Sequence, residues 1–141
     1  MATQDKEAVI GKMADTSKFV YIGYLDALGY PVTKAMLAPR ERKGIKEFWL
    51  TTNTSSNKVR CFKSNPKASL YFVDTRSYRG FSLQGTMEVL EDEESKRRIW
   101  KMGDRLYYKG GVSDPDYCVL HFVADRGRSY GSFKNEDFAI G

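Results

Sequence analysis

Between Phe48 and Val73 the sequence FWLTTNTSSNKVRCFKSNPKASLYFV changes its hydrophobic period twice, and the rest of the chain has to be arranged around the unit that results. Phe48, Leu50 and Thr52 alternate with Trp49 and Thr51, which is the pattern of a strand, and the polar run Asn53-Thr54-Ser55-Ser56-Asn57 stops it. A short helix follows, with Thr54, Ser55 or Asn57 as its cap and Val59 and Phe62 as its apolar stripe. Asn65-Pro66 ends that helix, and a second strand runs from Ala68 to Val73. The start of the helix combines free backbone N–H groups, three hydroxyls and the ammonium of Lys58. Unpaired donors at the positive end of a helix dipole favour an oxyanion, and a nearby cation adds to the attraction.

Upstream, residues 5–15 pattern as an amphipathic helix through Ala8, Val9, Ile10 and Met13. Phe19 to Leu25 is apolar on both faces, as in a strand covered on both sides, by core and by a helix or a partner subunit. Asp26 to Gly29 reads as a hairpin turn into a strand from Tyr30 to Leu37, and a second hairpin loop, Pro39 to Gly44, leads to the strand at Phe48. That loop predicts that strand 30–37 runs beside the Phe48–Thr52 strand. Lys34 shares a face there with Val32 and Met36, an awkward place for a charge without a partner.

Downstream, Arg79 to Leu90 alternates Phe81, Leu83, Met87 and Val89 against Ser82, Gln84, Thr86 and Glu88, the signature of a half-exposed strand. Glu91 to Met102 reads as a helix with Glu93/Arg97 and Glu94/Arg98 as i,i+4 pairs and Ile99, Trp100 and Met102 at its buried end. Tyr117 to Ala124 and Gly127 to Phe133 are the last two strands. Seven or so short strands joined by tight turns predict a closed antiparallel barrel, since closure removes exposed edges.

At 141 residues the chain is the size of one domain, and 1–141 is read as a single one. The N-terminus has no signal-peptide core and no stretch is apolar enough to span a membrane, so a cytoplasmic protein is expected. Cys61 and Cys118 match no metal or redox spacing and read as reduced core thiols. The net charge of +5 is dispersed among 23 basic and 18 acidic residues, which describes a solvated surface better than a nucleic-acid stripe. Tyr and Phe are likewise spread over both strand faces and form no single stacking platform. The only histidine, His121, reads as a satisfied core residue, and no metal cluster, catalytic triad or G-x-G-x-x-G motif is present in the sequence.

The stretch TTNTSSNKVRCFKSNP resembles the T-N-x-x-S-x-K segment, followed seven residues later by N-P, of the pyridoxamine-phosphate-oxidase-like flavoproteins. Thr52, Asn53, Ser56, Lys58, Asn65 and Pro66 fall at those positions without a gap, and the resemblance reaches about Tyr130 and is nearest the general stress protein branch. It implies a mainly β, antiparallel, Greek-key-like FMN-binding split barrel with short helices, acting as a homodimer with a flavin at each end of the interface. It also implies that Ser56 and Lys58 hold the FMN phosphate, with Ser55 beside them. Lys34 stands where the family has a phosphate-contacting Arg, which keeps the charge but loses the bidentate fork. Thr51 and Thr52 fall where the family contacts the pyrimidine edge of the ring. Trp49 reads as core or dimer contact, and Trp100, Tyr107 and Tyr108 match a region that reaches over the partner's flavin or packs as a helix end.

The chain departs from true pyridoxamine-phosphate oxidases, having Gly80 where they carry a Gln and reaching Gly141 without their R-x-H-like motif, so pyridoxal-phosphate synthesis is not expected. The implied function is a flavin-dependent oxidoreductase acting on a small-molecule substrate or electron acceptor. The alternative is a non-catalytic FMN carrier or redox sensor in a stress response. No nucleic acid, membrane or metal partner is expected, and any redox reactivity comes from the cofactor, with the protein supplying placement and electrostatics.

Overall fold

A computed structural model describes residues 3–140; Met1, Ala2 and Gly141, on which the readings of the two chain ends partly rest, lie outside it. Helix α1 (Thr3–Thr16) leads into β1 (Phe19–Leu25), β2 (Pro31–Leu37), a three-residue β3 (Glu41–Lys43) and β4 (Glu47–Asn53). Helix α2 (Asn57–Ser64), β5 (Lys67–Asp74), β6 (Arg79–Leu90) and α3 (Glu93–Arg98) follow. Two 3-10 turns, Met102–Leu106 and Gly111–Ser113, then precede β7 (Tyr117–Gly131) and β8 (Lys134–Ala139).

All strand pairings are antiparallel, in the order β2-β1-β5-β6-β7-β4-β3, with β8 on the far half of β7. The expected closed barrel is corrected by this path: β2 and β3 are unpaired with each other, so the sheet curls without closing. The core fills the curl. Val20, Ile22, Phe48, Leu50, Leu70, Leu83, Leu120 and Phe122 are fully buried inside it, and Ile10 of α1 and Phe62 of α2 plug it. A second, smaller cluster of Trp49, Ile99, Tyr108, Tyr117 and Val119 lies against the other face of β4 and β7, under the segment that follows α3.

Three local expectations are revised. The hairpin that ends in β4 begins at β3 and turns at Gly44, whose φ of 59° suits glycine, so β2 pairs with β1 and does not run hydrogen-bonded beside β4. The helix expected over 91–102 is only Glu93–Arg98. It begins at the Asp92 cap, whose carboxylate accepts from Ser95 N at 3.0 Å, and stops as the chain turns Ile99 into the smaller cluster. Arg97 pairs with Glu93 at 2.5 Å, but Arg98 reaches across to Glu41 at 2.6 Å instead of to Glu94, and Met102 is 86% exposed. Residues 117–131 form one strand, since Asp125 is an extra residue opposite the Gln84/Gly85 junction, a bulge that bends β7 without ending it. β1 itself occupies the expected range: its core face buries Val20, Ile22 and Tyr24, and no helix of this chain covers Phe19 and Tyr21 on the other, which are exposed.

Candidate functional site

The curl brings β2 and β4 to opposite walls of a cleft although they share no hydrogen bonds. Ala35, Met36 and Leu37 form one wall; Thr51, Thr52 and Asn53 with Lys58 form the other; Arg40, Asp104, Tyr107 and Tyr108 close one end. Three of the six sequence-predicted site residues, Thr51, Thr52 and Lys58, line it.

Lys58 is placed on the second residue of α2 and is only 5% exposed. Among the described residues no carboxylate pairs with it. Burial lowers its pKa to about 8, and the Lys34 ammonium pushes in the same direction, so the two cations are near one another despite the absence of β2–β4 pairing. Lys34 itself is exposed on β2, beside the lining residues. A buried cation with a second cation for a neighbour is unfavourable by itself and becomes favourable when an anion joins them.

The helix start completes the set of donors. Ser56 is the N-cap, yet its hydroxyl makes no capping bond, and its Oγ is buried without a partner. This corrects the expectation that Thr54, Ser55 or Asn57 caps α2. Thr54 Oγ1 is also buried and unpaired, beside the Cys118 thiol. Ser56 N donates to Asn53 O at 3.0 Å and Val59 N to Ser56 O at 3.2 Å, which leaves the Asn57 and Lys58 amides with no backbone acceptor. Ser55 differs from its neighbours: it is exposed and its amide is engaged by Asp116 Oδ1 at 2.8 Å, so only its hydroxyl remains for a ligand. Two buried hydroxyls, two free amides and a buried ammonium make a set of donors that an oxyanion would satisfy.

At the closed end, Arg40 forms a two-pronged pair with Asp104, at 3.0 and 2.6 Å, and also donates to Ile99 O at 3.2 Å. Burial works against the Asp104 carboxylate, but the Arg40 guanidinium and the Lys101 amide together hold it below the usual range. The pair ties the β2–β3 connection to the 3-10 turn that carries Tyr107 and Tyr108. Tyr108 is buried against Tyr117 and Trp100, and burial raises both tyrosine hydroxyls, that of Tyr117 to about 12. Tyr107 is 66% exposed at the cleft. Sequence reasoning missed Arg40 and Asp104, which sit in the charged strings PRERK and KMGDR and carry no pattern that separates a buried pair from a solvated surface.

Trp49 and His121 are outside the cleft. Their rings stack at 4.6 Å, Arg98 lies 4.2 Å over the indole, and His121 Nε2 is 3.0 Å from Glu47 Oε1, so the histidine is satisfied, as expected, by neighbours on the sheet. Cys61 and Cys118 are free and buried, and burial raises the Cys118 thiol while the Thr54 hydroxyl and Lys58 pull it partly back.

The family model described as pyridoxamine 5'-phosphate oxidase matches residues 10–131. The chain belongs to the pyridoxamine 5'-phosphate oxidase family. Among solved structures of similar fold, a protein related to general stress protein 26 of Bacillus subtilis, of the pyridoxinephosphate oxidase family and from Clostridium acetobutylicum, is 40% identical. Its TM-score is 0.90, and the match covers 99% of this chain and 97% of that one. General stress protein 26 from Bacillus anthracis shares the fold at 13% identity and a TM-score of 0.78, covering 96% and 98% of the two chains. A heme binding protein from Mycobacterium smegmatis shares it at 18% identity and a TM-score of 0.76, covering 99% of this chain and 59% of that one. No curated protein matches the chain. As in this family generally, the architecture is that of a split barrel, and the donor set at α2 lies at one lip of the split.

Proposed function

We propose that the cleft binds FMN, with the phosphate at the start of α2 and the ring along β4. The observation that carries this reading is the buried Ser56 Oγ without a partner, one residue from the Asn57 amide and two from the buried, unpaired Lys58. Lys58 and Lys34 together offset the two negative charges of a phosphomonoester, which a neutral ligand would leave uncompensated. Thr51 and Thr52 border the ring edge, and the Tyr107 and Tyr108 rings supply an aromatic end wall. When bound, FMN supplies reversible one- and two-electron chemistry, and the chain's residues bind, orient and shield it. On this reading the protein is a flavin-dependent oxidoreductase of the general stress protein type acting on a small acceptor; a carrier or sensor is the second reading, favoured by a cleft whose carboxylate, Asp104, is tied up by Arg40 and whose Lys58 is assigned to the phosphate.

The cleft encloses about 200 Å³, less than the roughly 300–1,000 Å³ of sites that bury most of a drug-sized ligand. A further wall is needed, and a second copy of the chain supplies it. The apolar face of β1, β2 and β5 begins at the cleft, where Leu37 lines the site and pairs in register with Phe19, and continues through the row Ala35, Tyr21 and Tyr71. Phe19, Tyr21 and Tyr71 are 58%, 42% and 40% exposed, a patch more typical of an interface than of solvent.

The visible spectrum of the purified protein tests the cofactor. A flavin band is expected, released as FMN on denaturation; a Soret band with no flavin, or no chromophore and no FMN uptake, would refute it. Steady-state turnover with NAD(P)H and candidate acceptors then separates the oxidoreductase from the carrier.

A further inference from the structure

The loop that presents the two buried hydroxyls is fixed by a single residue. Asp116 Oδ2 accepts from Asn53 Nδ2 at 2.9 Å, Asp116 Oδ1 accepts from Ser55 N at 2.8 Å, and the Asp116 carbonyl accepts from Thr54 N at 2.7 Å. Three consecutive residues of the loop are therefore bonded to one residue, and the only other backbone bond within the loop is that of Ser56 N to Asn53 O. Asp116 is itself braced. Its amide donates to Asp114 Oδ1 at 2.9 Å, Asp114 Oδ2 accepts from Gly110 N at 2.9 Å, and Lys96 Nζ donates to Asp114 O at 3.0 Å. The hydrogen bonds from Asn53 and Ser55 hold the Asp116 carboxyl below the usual carboxylate range, so it stays an acceptor at any working pH.

Geometry gives these bonds a direction of action. Asn53 ends β4, where it pairs in register with Tyr117, so Asp116 stands just beyond the ladder at the point where the loop leaves the sheet. By taking up the Asn53 amide and the Thr54 and Ser55 N–H groups, it leaves the buried Ser56 Oγ and the Asn57 and Lys58 amides out of its own hydrogen bonds. Released from Asp116, the loop has three unsatisfied donors, and each of the two hydroxyls is then free to rotate or to cap α2 in the ordinary way.

We propose that Asp116 is a positioning residue for the phosphate of the bound ligand, acting through Asn53, Thr54 and Ser55 without touching the ligand. The inference rests on the flavin reading above. It concerns selectivity for a phosphomonoester over the same molecule without phosphate, because a site held within a fraction of an ångström is what lets several donors meet one phosphate at once.

Two substitutions and two ligands test it. Asp116→Ala removes both side-chain acceptors. Asp116→Asn keeps Oδ1 for the Ser55 amide and can donate to Asn53 Oδ1 once the Asn53 amide turns over, so it is the rescuing variant. By fluorescence quenching, Asp116→Ala is expected to weaken FMN binding at least about tenfold, the equivalent of about 1.4 kcal/mol, and to leave riboflavin affinity unchanged. Asp116→Asn is expected to stay within about threefold of wild type for both. A merely structural residue would weaken both ligands together. If wild type prefers FMN and Asp116→Ala keeps that preference, the inference fails and the flavin site stands; if wild type does not distinguish the two ligands, the phosphate reading fails and the inference with it. Should Asp116→Ala not fold, Asp114→Ala, outside the cleft lining, removes the brace on the Asp116 amide instead. A smaller, FMN-specific loss is then expected, and an unchanged FMN affinity overturns the inference.

Discussion

Lys58 sets the electrostatics of the site, and its titration gives a prediction whose sign can be worked out. Its pKa is lowered from 10.5 to about 8 in the folded chain, so without an anion it costs stability at every pH below about 8, and the cost fades as pH rises toward the unfolded value. A shift of that size corresponds to at most about 3 kcal/mol. Urea denaturation of the flavin-free protein should show Lys58→Met stabilised relative to wild type near neutrality, with the gap closing in alkali; a gap independent of pH would contradict the assignment. Anion binding runs the other way, because it favours the protonated amine. FMN affinity should therefore fall at least about tenfold between about pH 7 and about pH 9.5, a trend that a flat titration would exclude. Lys34→Met and Lys58→Met should each weaken FMN, and their double mutant should depart from additivity by roughly 0.5–3 kcal/mol, since both act on one phosphate. The strand–helix–strand order and the stop at Asn65-Pro66 were legible in the sequence because a short helix between two strands has few ways to be built, whereas the cap fell on Ser56 and not on the three candidates read from the pattern. Asp116, Arg40 and Asp104 were not legible, since nothing in a charged loop marks which carboxylate turns inward.

At the scale of elements, the all-apolar β1 and the alternating β6 were both read to the residue, and β4, α2 and β5 follow in the expected order. Errors fell where tertiary bonds decide. Asp125-Arg126-Gly127 looks like a turn, but β7 continues through it because β6 runs alongside its whole length, β4 pairing with the first half and β8 with the second. Gly85 is the hinge of that bend. A Cβ there would lie 1.9 Å from the Val123 carbonyl oxygen, and backbone cannot step aside as a side chain can. Gly85→Ala should destabilise by about 2 kcal/mol or more, read as a lowered urea midpoint; an unchanged midpoint would mean that the bulge relaxes freely. The α3 cap offers a milder comparison. Asp92→Ala removes the acceptor for Ser95 N and should cost about 1 kcal/mol.

Over the whole molecule, the open sheet divides the labour: one face buries the core, the donor set lies at the start of α2, and the face of β1, β2 and β5 with Phe19, Tyr21 and Tyr71 stays exposed in this chain, the surface proposed above for a second copy. Mutating Tyr21 and Tyr71 to Glu would put like charges directly opposite each other on that face, and sedimentation should then report a monomer with weakened flavin binding, in contrast to the dimer expected for wild type. A wild-type monomer that retains its flavin would refute the second wall. The central claim is that this fold is organised around a phosphate. It is tested most directly by titrating the flavin-free wild-type protein with FMN and with riboflavin under the same conditions. With several charge-assisted contacts worth on the order of 1.5–3 kcal/mol each, FMN should bind at least about a hundredfold more tightly; equal affinities for the two would contradict the assignment of Ser56 and Lys58 and reduce the start of α2 to an ordinary helix end.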